Sequence, residues 1–377
     1  MPQKTNNMNN GNTMPLRFFY KFSGAFLSLL VIVNAIHQIL EFNDLGFDYF
    51  GKFSLIITIT ALIIAGIWAL IWQRQEASNF QKSNTQKLIV MALIRYFLSF
   101  IILTYAASKI LGVQFSYGLV TQATPVGQLT NTQLTWYFFG QSYLYSLIIS
   151  FVQIFACLLL FFRRTALTGA IILLPVIANI MCLNWFYDLW PATKLVSSEY
   201  FVMTVFIILS HLKQLKSFLF GSDTSDHTQF SKSKKIALRG CKWIIILLAF
   251  LIAFGGMIYY KTITAKQYFN KPVIYGVYST VKFIRNSENV NILHLENDFW
   301  RKIYFDKSYG LITDSKDSTQ YILYKTGLKN DSLTITFYSD SPDNFNGQFK
   351  KENGFLSLKG IIGGNNVTYV LKQEPFK

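Results

Sequence analysis

Long apolar runs and short polar stretches alternate along the first 260 positions, and the pattern then changes abruptly. A helix rising 1.5 Å per residue needs about 20 apolar residues to cross a hydrocarbon layer about 30 Å thick. Runs at 22–40, 53–72, 88–111, 142–162, 165–186, 200–212 and 243–260 therefore predict seven membrane spans. The sixth is the shortest, because Lys213 and Lys216 interrupt it. Lysine stems that reach the headgroups would let it continue to residue 220. Beyond residue 260 the period drops to two. "VIYGVYSTVKFI", "FWRKIYFD", "TQYILYKT", "SLTITFYS" and "VTYVLKQE" are short, β-branched and aromatic, and "KNDS", "KENG" and "GGNN" supply turns between them. Some nine such strands predict one antiparallel barrel or sandwich. The expected fold class is an α-helical integral membrane bundle of about seven spans followed by a C-terminal all-β barrel or sandwich domain.

Composition agrees with that division. Of the 377 residues, 51% are hydrophobic and only 14% charged, against about a quarter charged in an ordinary soluble domain. The tail from Lys261 onward returns to a soluble density, with 16 Lys/Arg and 11 Asp/Glu. The net charge of +16 suggests nucleic acid as a partner only until its distribution is read. Lys plus Arg along successive non-span segments number 3, 1, 3, 0, 2, 1 and 7. Basic residues concentrate on the cytoplasmic side of membrane helices, so this alternation predicts a cytoplasmic N-terminus and an extracytoplasmic β domain and removes the motive for nucleic-acid binding. The expected organisation is a cytoplasmic polar tail (1–21), two spans (22–87), a four-helix core (88–220), a basic cytoplasmic loop (221–242), a seventh span (243–260) and the outer β domain (261–377). A bacterial cytoplasmic (inner) membrane is the expected location, with the domain on its periplasmic face and the lipid bilayer as the first partner. A membrane or periplasmic protein is the second.

Several chemistries drop out. Three cysteines without a CxxC, and none in the β region, exclude dithiol redox work within the chain. His294 is the only histidine of that region, and its carboxylates lack calcium-loop spacing. His37, near the outer end of span one, and His211, at mid-span or deeper in span six, differ by on the order of 15 Å in depth, too far to share a haem iron. No metal site is expected. The barrel either holds a ligand, with Trp300 and Arg301 lining a pocket, or is filled by its own aromatic residues. The connection over 112–140 carries no charge at all. It either lies along the membrane boundary, anchored by Tyr117, Trp136 and Tyr137, or forms an ordinary ordered loop.

The candidate chemistry lies inside the spans. Arg95 and Lys109 are two heptads apart on span three, which brings both within about 40° on one helix face. Lys109 reaches the outer headgroups. Arg95 sits deeper, where a charge is costly and needs a partner, and Gln153 of the antiparallel fourth span is expected at its depth. No carboxylate is expected there, so water and backbone carbonyls, an anionic ligand, a lipid headgroup or a subunit completes Arg95. Near the outer face Lys109, Gln114 and Tyr143 are expected at the level of Asn179, Asn184, Tyr187 and Asp188. A Lys109–Asp188 pair would then organise a polar cluster that either forms a ligand site or fixes helix register.

Three stretches, "RYFLSFIILTYAASKILGVQF", "FVQIFACLLLFFRRTALTGAIILL" and "NIMCLNWFYD", resemble the four-helix DoxX-like membrane family over about 88–220. The matching positions are Arg95, Lys109, Gln114, Arg163, Arg164, Thr165, Gly169, Asn184 and Asp188. The resemblance implies that Arg95 and Lys109 belong to the polar interior of the bundle. It also implies a component of a membrane redox system, with quinone as the cofactor. Gln153 stands where the family carries a glutamate, and an amide cannot exchange a proton in the working pH range. A non-catalytic scaffold presenting the β domain is the alternative. The β domain itself looks lipocalin-like.

Overall fold

The structure, a computed structural model, describes residues 17–42, 47–215, 232–292, 298–307, 309–327, 331–337 and 344–375. The chain divides into two compact units. Met1–Ala107 with Ile148–Ala253 form the first, and Ser108–Leu147 with Phe254–Lys377 the second.

The helices number α1 (Phe18–Phe42), α2 (Phe47–Ser78), α3 (Phe80–Ile110), α4 (Leu119–Ala123), α5 (Asn131–Gly140), α6 (Tyr143–Phe161), α7 (Ala166–Phe186), α8 (Pro191–Ser210), α9 (Lys232–Tyr259) and α10 (Lys266–Phe269). Seven of the described helices are long and apolar enough to cross a membrane. Outward-facing Ile63, Ile67 and Leu70 on α2, and Leu247, Leu251 and Ile252 on α9, are exposed in the isolated chain. A face of that kind belongs against lipid tails. The chain is thus a multi-pass membrane protein.

The helices run past several of the span boundaries expected from the sequence, and in the second, third and sixth spans polar residues that look like loop are taken into helices. The second helix continues past Trp72 to Ser78, and the third begins at Phe80 rather than at 88. Glu76, in the added turn, is buried against Lys21. The sixth begins at Pro191 and ends at Ser210, where the sequence suggested 200–212. Proline at the first helical position loses nothing, since its missing N–H would be unpaired there. Glu199 inside that helix accepts from Asn34 Nδ2 at 2.7 Å.

Small residues set the helix packing. Ala61, Ala65 and Ala69 repeat every four residues on one stripe of α2 and are buried, the spacing that lets helix backbones approach in lipid. Gly169 does the same for α7 against α6. A Cβ there would meet the Ala156 carbonyl at 2.8 Å and Leu159 Cβ at 3.0 Å. Gly169→Ala is accordingly expected to cost about 1–3 kcal/mol through overpacking, read as a lowered unfolding midpoint of the purified chain in detergent.

The strands of the second unit are β1 (Gly276–Arg285), β2 (Glu288–Val290), β3 (Trp300–Phe305), β4 (Tyr309–Asp314), β5 (Thr319–Gly327), β6 (Ser332–Phe337), β7 (Phe345–Glu352), β8 (Phe355–Ile362) and β9 (Asn365–Glu374). Consecutive strands from β3 to β9 pair antiparallel, and β1 pairs with both β3 and β9. That closes an eight-stranded barrel with β2 appended to the far end of β1. Two-residue loops join β7 to β8 and β8 to β9 through Asn353-Gly354 and Gly363-Gly364, all with positive φ. Turns of that hand match the strand twist.

Alternate strand residues turn inward and fill the barrel. Tyr278, Phe283, Phe305, Phe345 and Tyr369 are at most 2% exposed. Phe283 stacks on Tyr369 with ring centroids 4.4 Å apart, and Trp300 stacks on the same ring at 4.9 Å. Of the two interiors open to the sequence, the structure has the filled one. Trp300 is half-buried and packs against the core, and Arg301 points to the surface, where its Nη1 lies 2.6 Å from Asp317 Oδ1. The uncharged connection between α3 and α6 belongs to this same unit and contributes α4 and α5 to it.

Candidate functional site

Three polar groupings stand out, two in the bundle unit and one in the β unit. The first surrounds Arg95, which is 6% exposed. Its Nε donates to the Met91 carbonyl one turn back at 3.2 Å, and its guanidinium lies 5.7 Å from the Tyr96 ring centroid. Its Nη1 is buried with no hydrogen-bond partner among the described residues. The Tyr96 ring meets Phe161 at 5.8 Å, so Arg95 sits at the level of the turn joining α6 to α7. Gln153 is eight residues up α6 from Phe161, on the order of 12 Å away along the axis. It is fully buried. Thr165 closes the α6–α7 turn by donating its hydroxyl to the Leu159 carbonyl at 2.8 Å, while Arg163 and Arg164 stay exposed. His211 follows the end of α8, the deeper of the two positions the sequence left open, and its Nδ1 is 2.8 Å from the Ile207 carbonyl. The side chain of His37, and His227 and His294 altogether, lie outside the described residues.

The second grouping was not visible as a site in the sequence. Lys21, fully buried, places Nζ 2.6 Å from Glu76 Oε2 and also donates to Gln73. Ser83 Oγ donates to the other Glu76 oxygen at 3.0 Å and accepts from Trp72 Nε1 at 2.8 Å. This relay ties α1, α2 and α3 together.

The third is in the β unit. Asp306, fully buried at the end of β3, accepts from the Lys307 N–H at 2.9 Å and from the Val120 N–H at 3.3 Å. Tyr324 donates its hydroxyl to the Asp306 carbonyl. Thr124, which closes α4, shares a 3.3 Å hydrogen bond with the Tyr321 hydroxyl. The strand and the α3–α6 connection are fastened through these groups. Burial raises the Asp306 carboxyl above the ordinary aspartate range, against the N–H groups of Val120, Lys307 and Leu119, which favour the ionised form. Burial, with the Asp306 charge beside it, pushes the Tyr309 hydroxyl up to about 12.

A raised folded-state value has a definite sign. The folded chain binds more protons than the unfolded one between the ordinary aspartate value and the raised one, so stability falls as pH rises through that window. Asp306→Asn, which keeps one acceptor oxygen, is expected to flatten this slope. Unfolding midpoints of both chains measured from pH 4 upward check it, and parallel curves would contradict the assignment.

The remaining residues singled out in the sequence fall in different units. Lys109, Gln114 and Tyr143 belong to the β unit. Lys109 is buried with Nζ 5.8 Å from the Phe115 ring, Gln114 accepts from Ser108 Oγ at 3.3 Å, and exposed Tyr143 donates to the Ile110 carbonyl at 3.1 Å. Asn179, Asn184, Tyr187 and Asp188 belong to the bundle unit. Asn184 is buried and donates to the Thr193 carbonyl at 3.3 Å, whereas Asn179 and Tyr187 are exposed. Asp188 takes Lys194 as its salt-bridge partner where the sequence suggested Lys109. Extending α8 back to Pro191 is what brings Lys194 within reach. Asn184 and Asp188 thus both bond to the first turn of α8.

No family model matches the chain, and no solved structure matches it. A Bacillus subtilis (strain 168) protein described as uncharacterized protein YwoB is 37% identical over 100 residues, which is 26% of this chain. The chain spans 64% of the length of that relative.

Proposed function

We propose that this protein is a membrane scaffold that holds a β-barrel at the extracytoplasmic surface for a protein partner. The observation that carries this is the Asp306 fastening, through which the α3–α6 connection becomes part of the barrel's own unit. A barrel on a flexible tether would need no such joint. Its filled interior leaves the outside as the working surface. That surface carries exposed Leu323, Phe355 and Ile361, and β1 and β9 flank an open cleft of about 570 Å3 lined in part by Lys271, Tyr275 and Gln373. The side assignment is supported by the basic segments, and a bacterial cytoplasmic membrane by the Bacillus relative. A photoreactive residue at Phe355 or Ile361 is expected to give one adduct of fixed mass in intact cells. A chain present at normal level that yields no adduct from either position refutes the scaffold.

A second reading follows from the resemblance to the DoxX-like family, whose members are associated with quinone-linked redox systems. It is favoured by one feature, the buried Arg95 Nη1, a donor suited to a carbonyl oxygen. The working part would then be the bundle and the barrel an accessory. Purified protein that retains a quinone, lost in Arg95→Ala, supports this reading. Its absence from a stable wild-type preparation removes it.

A further inference from the structure

Arg95 is surrounded by charge of its own sign. His211 lies within electrostatic range of Arg95, Lys87 and Arg163, and Lys87 within range of Arg163 and Lys213. These residues come from α3, from the α6–α7 turn and from the end of α8, so the fold gathers them, not the local sequence. Tyr20 of α1 closes one side, with its ring 5.6 Å from Lys87 Nζ and stacked on Phe206 at 5.1 Å. The described carboxylates of the bundle unit are used elsewhere: Glu76 by Lys21, Asp188 by Lys194 and Glu199 by Asn34. Among the described residues none is left to balance Lys87, Arg95, Arg163 and Lys213. Bringing several cations together around a buried guanidinium at the end of an apolar bundle costs free energy that a bound anion returns.

The geometry points to a phosphate-binding site here, with Arg95 Nη1 donating to a phosphate oxygen from inside, Lys87, Arg163 and Lys213 neutralising its charge from the rim, and the His211 ring beside them. Several cations on three chain segments suit an anion of charge up to two better than the single charge of a carboxylate. The guanidinium fork matches phosphate oxygens. A neutral quinone carbonyl would use the Arg95 donor and leave the surrounding charge uncompensated, so the site goes beyond the redox reading rather than repeating it. With Nδ1 of His211 held by the Ile207 carbonyl, Nε2 is the ring nitrogen available to the ligand. The two sources of such a phosphate are the headgroup of an anionic lipid and inorganic phosphate from solution.

The full chain, delipidated in detergent, tests it with two titrants at constant ionic strength. These are mixed micelles of phosphatidylglycerol in phosphatidylcholine, and inorganic phosphate. Either is expected to raise the unfolding midpoint, and saturation by the lipid alone identifies the headgroup, by phosphate alone the free anion. Arg95→Gln is expected to weaken the binding about tenfold or more, the usual consequence of losing one charge-assisted hydrogen bond. Because a buried change can compromise folding, the exposed positions carry the same test. Lys213→Gln and Arg163→Gln weaken the same titrant several-fold, while Arg74→Gln does not. A midpoint that neither titrant moves overturns the proposal, as does a shift that all these variants retain. A stronger shift by a soluble quinone than by either phosphate source also overturns it.

Discussion

Gly118→Ala is expected to lower the stability of the β unit by at least about 3 kcal/mol, the sum of overpacking and of buried N–H groups losing their acceptor. Gly118 has φ −104° and ψ −180°, an extended conformation open to any residue, so glycine is required for space and not for backbone freedom. A Cβ would fall on the Asp306 carboxylate oxygens. That carboxylate cannot step aside cheaply. It is fully buried, and moving it strands the N–H groups of Val120 and Lys307. The expected signature is an early unfolding transition, with proteolytic cleavage between residues 108 and 147 at temperatures where the wild-type segment is protected. Asp306→Ala alone strands the same donors. In the double variant, however, the added methyl occupies the space the carboxylate vacated. The two costs are then expected to be less than additive, the mark of direct contact. A Gly118→Ala chain within about 0.5 kcal/mol of wild type would show that the joint does not hold the connection.

That joint also shows why the sequence reveals the fold far better than the sites. Seven spans and a closed barrel follow from two periods, one near twenty apolar residues and one of two, and both survive errors of several residues at each end. Sites depend on register between distant segments, which periodicity does not carry. Gly118 lies in an uncharged stretch with nothing local to show that Asp306, 188 positions later, needs its missing side chain. Arg95 was legible because a charge amid apolar neighbours is conspicuous, yet its surroundings were not. Lys87 and Lys213 look like ordinary loop charges, and only the observed helix limits bring them and Arg163 to its level. Glu76 was hidden in the same way. It follows Trp72 among polar residues, "QRQEAS", and reads as the start of a loop until the helix is seen to continue through it.

Removing either partner of the Lys21–Glu76 pair is expected to have the largest effect of any single change in the bundle unit, about 3–5 kcal/mol. Burial is nearly complete on both sides, with side chains 0% and 6% exposed. Lys21→Met leaves the buried Glu76 carboxylate without its cation, and Glu76→Leu leaves Lys21 charged beside the Gln73 amide and takes the acceptor from the Ser83 hydroxyl. Both variants are expected to shift unfolding in detergent to lower temperature and to reduce the yield of folded protein. The pair itself is another matter, because desolvating two ions consumes most of what their attraction supplies. Lys21→Met combined with Glu76→Leu therefore recovers most of the loss despite having no ionic link at all. Should the double variant be as unstable as the sum of the singles, the relay through Ser83 to Trp72 must hold α1, α2 and α3 by its hydrogen bonds rather than by charge balance. Ser83→Ala would then cost as much as either ion. On the charge-balance account Ser83→Ala costs only about 1–3 kcal/mol, the loss of one hydrogen bond to a charged group, so this third variant decides between the two.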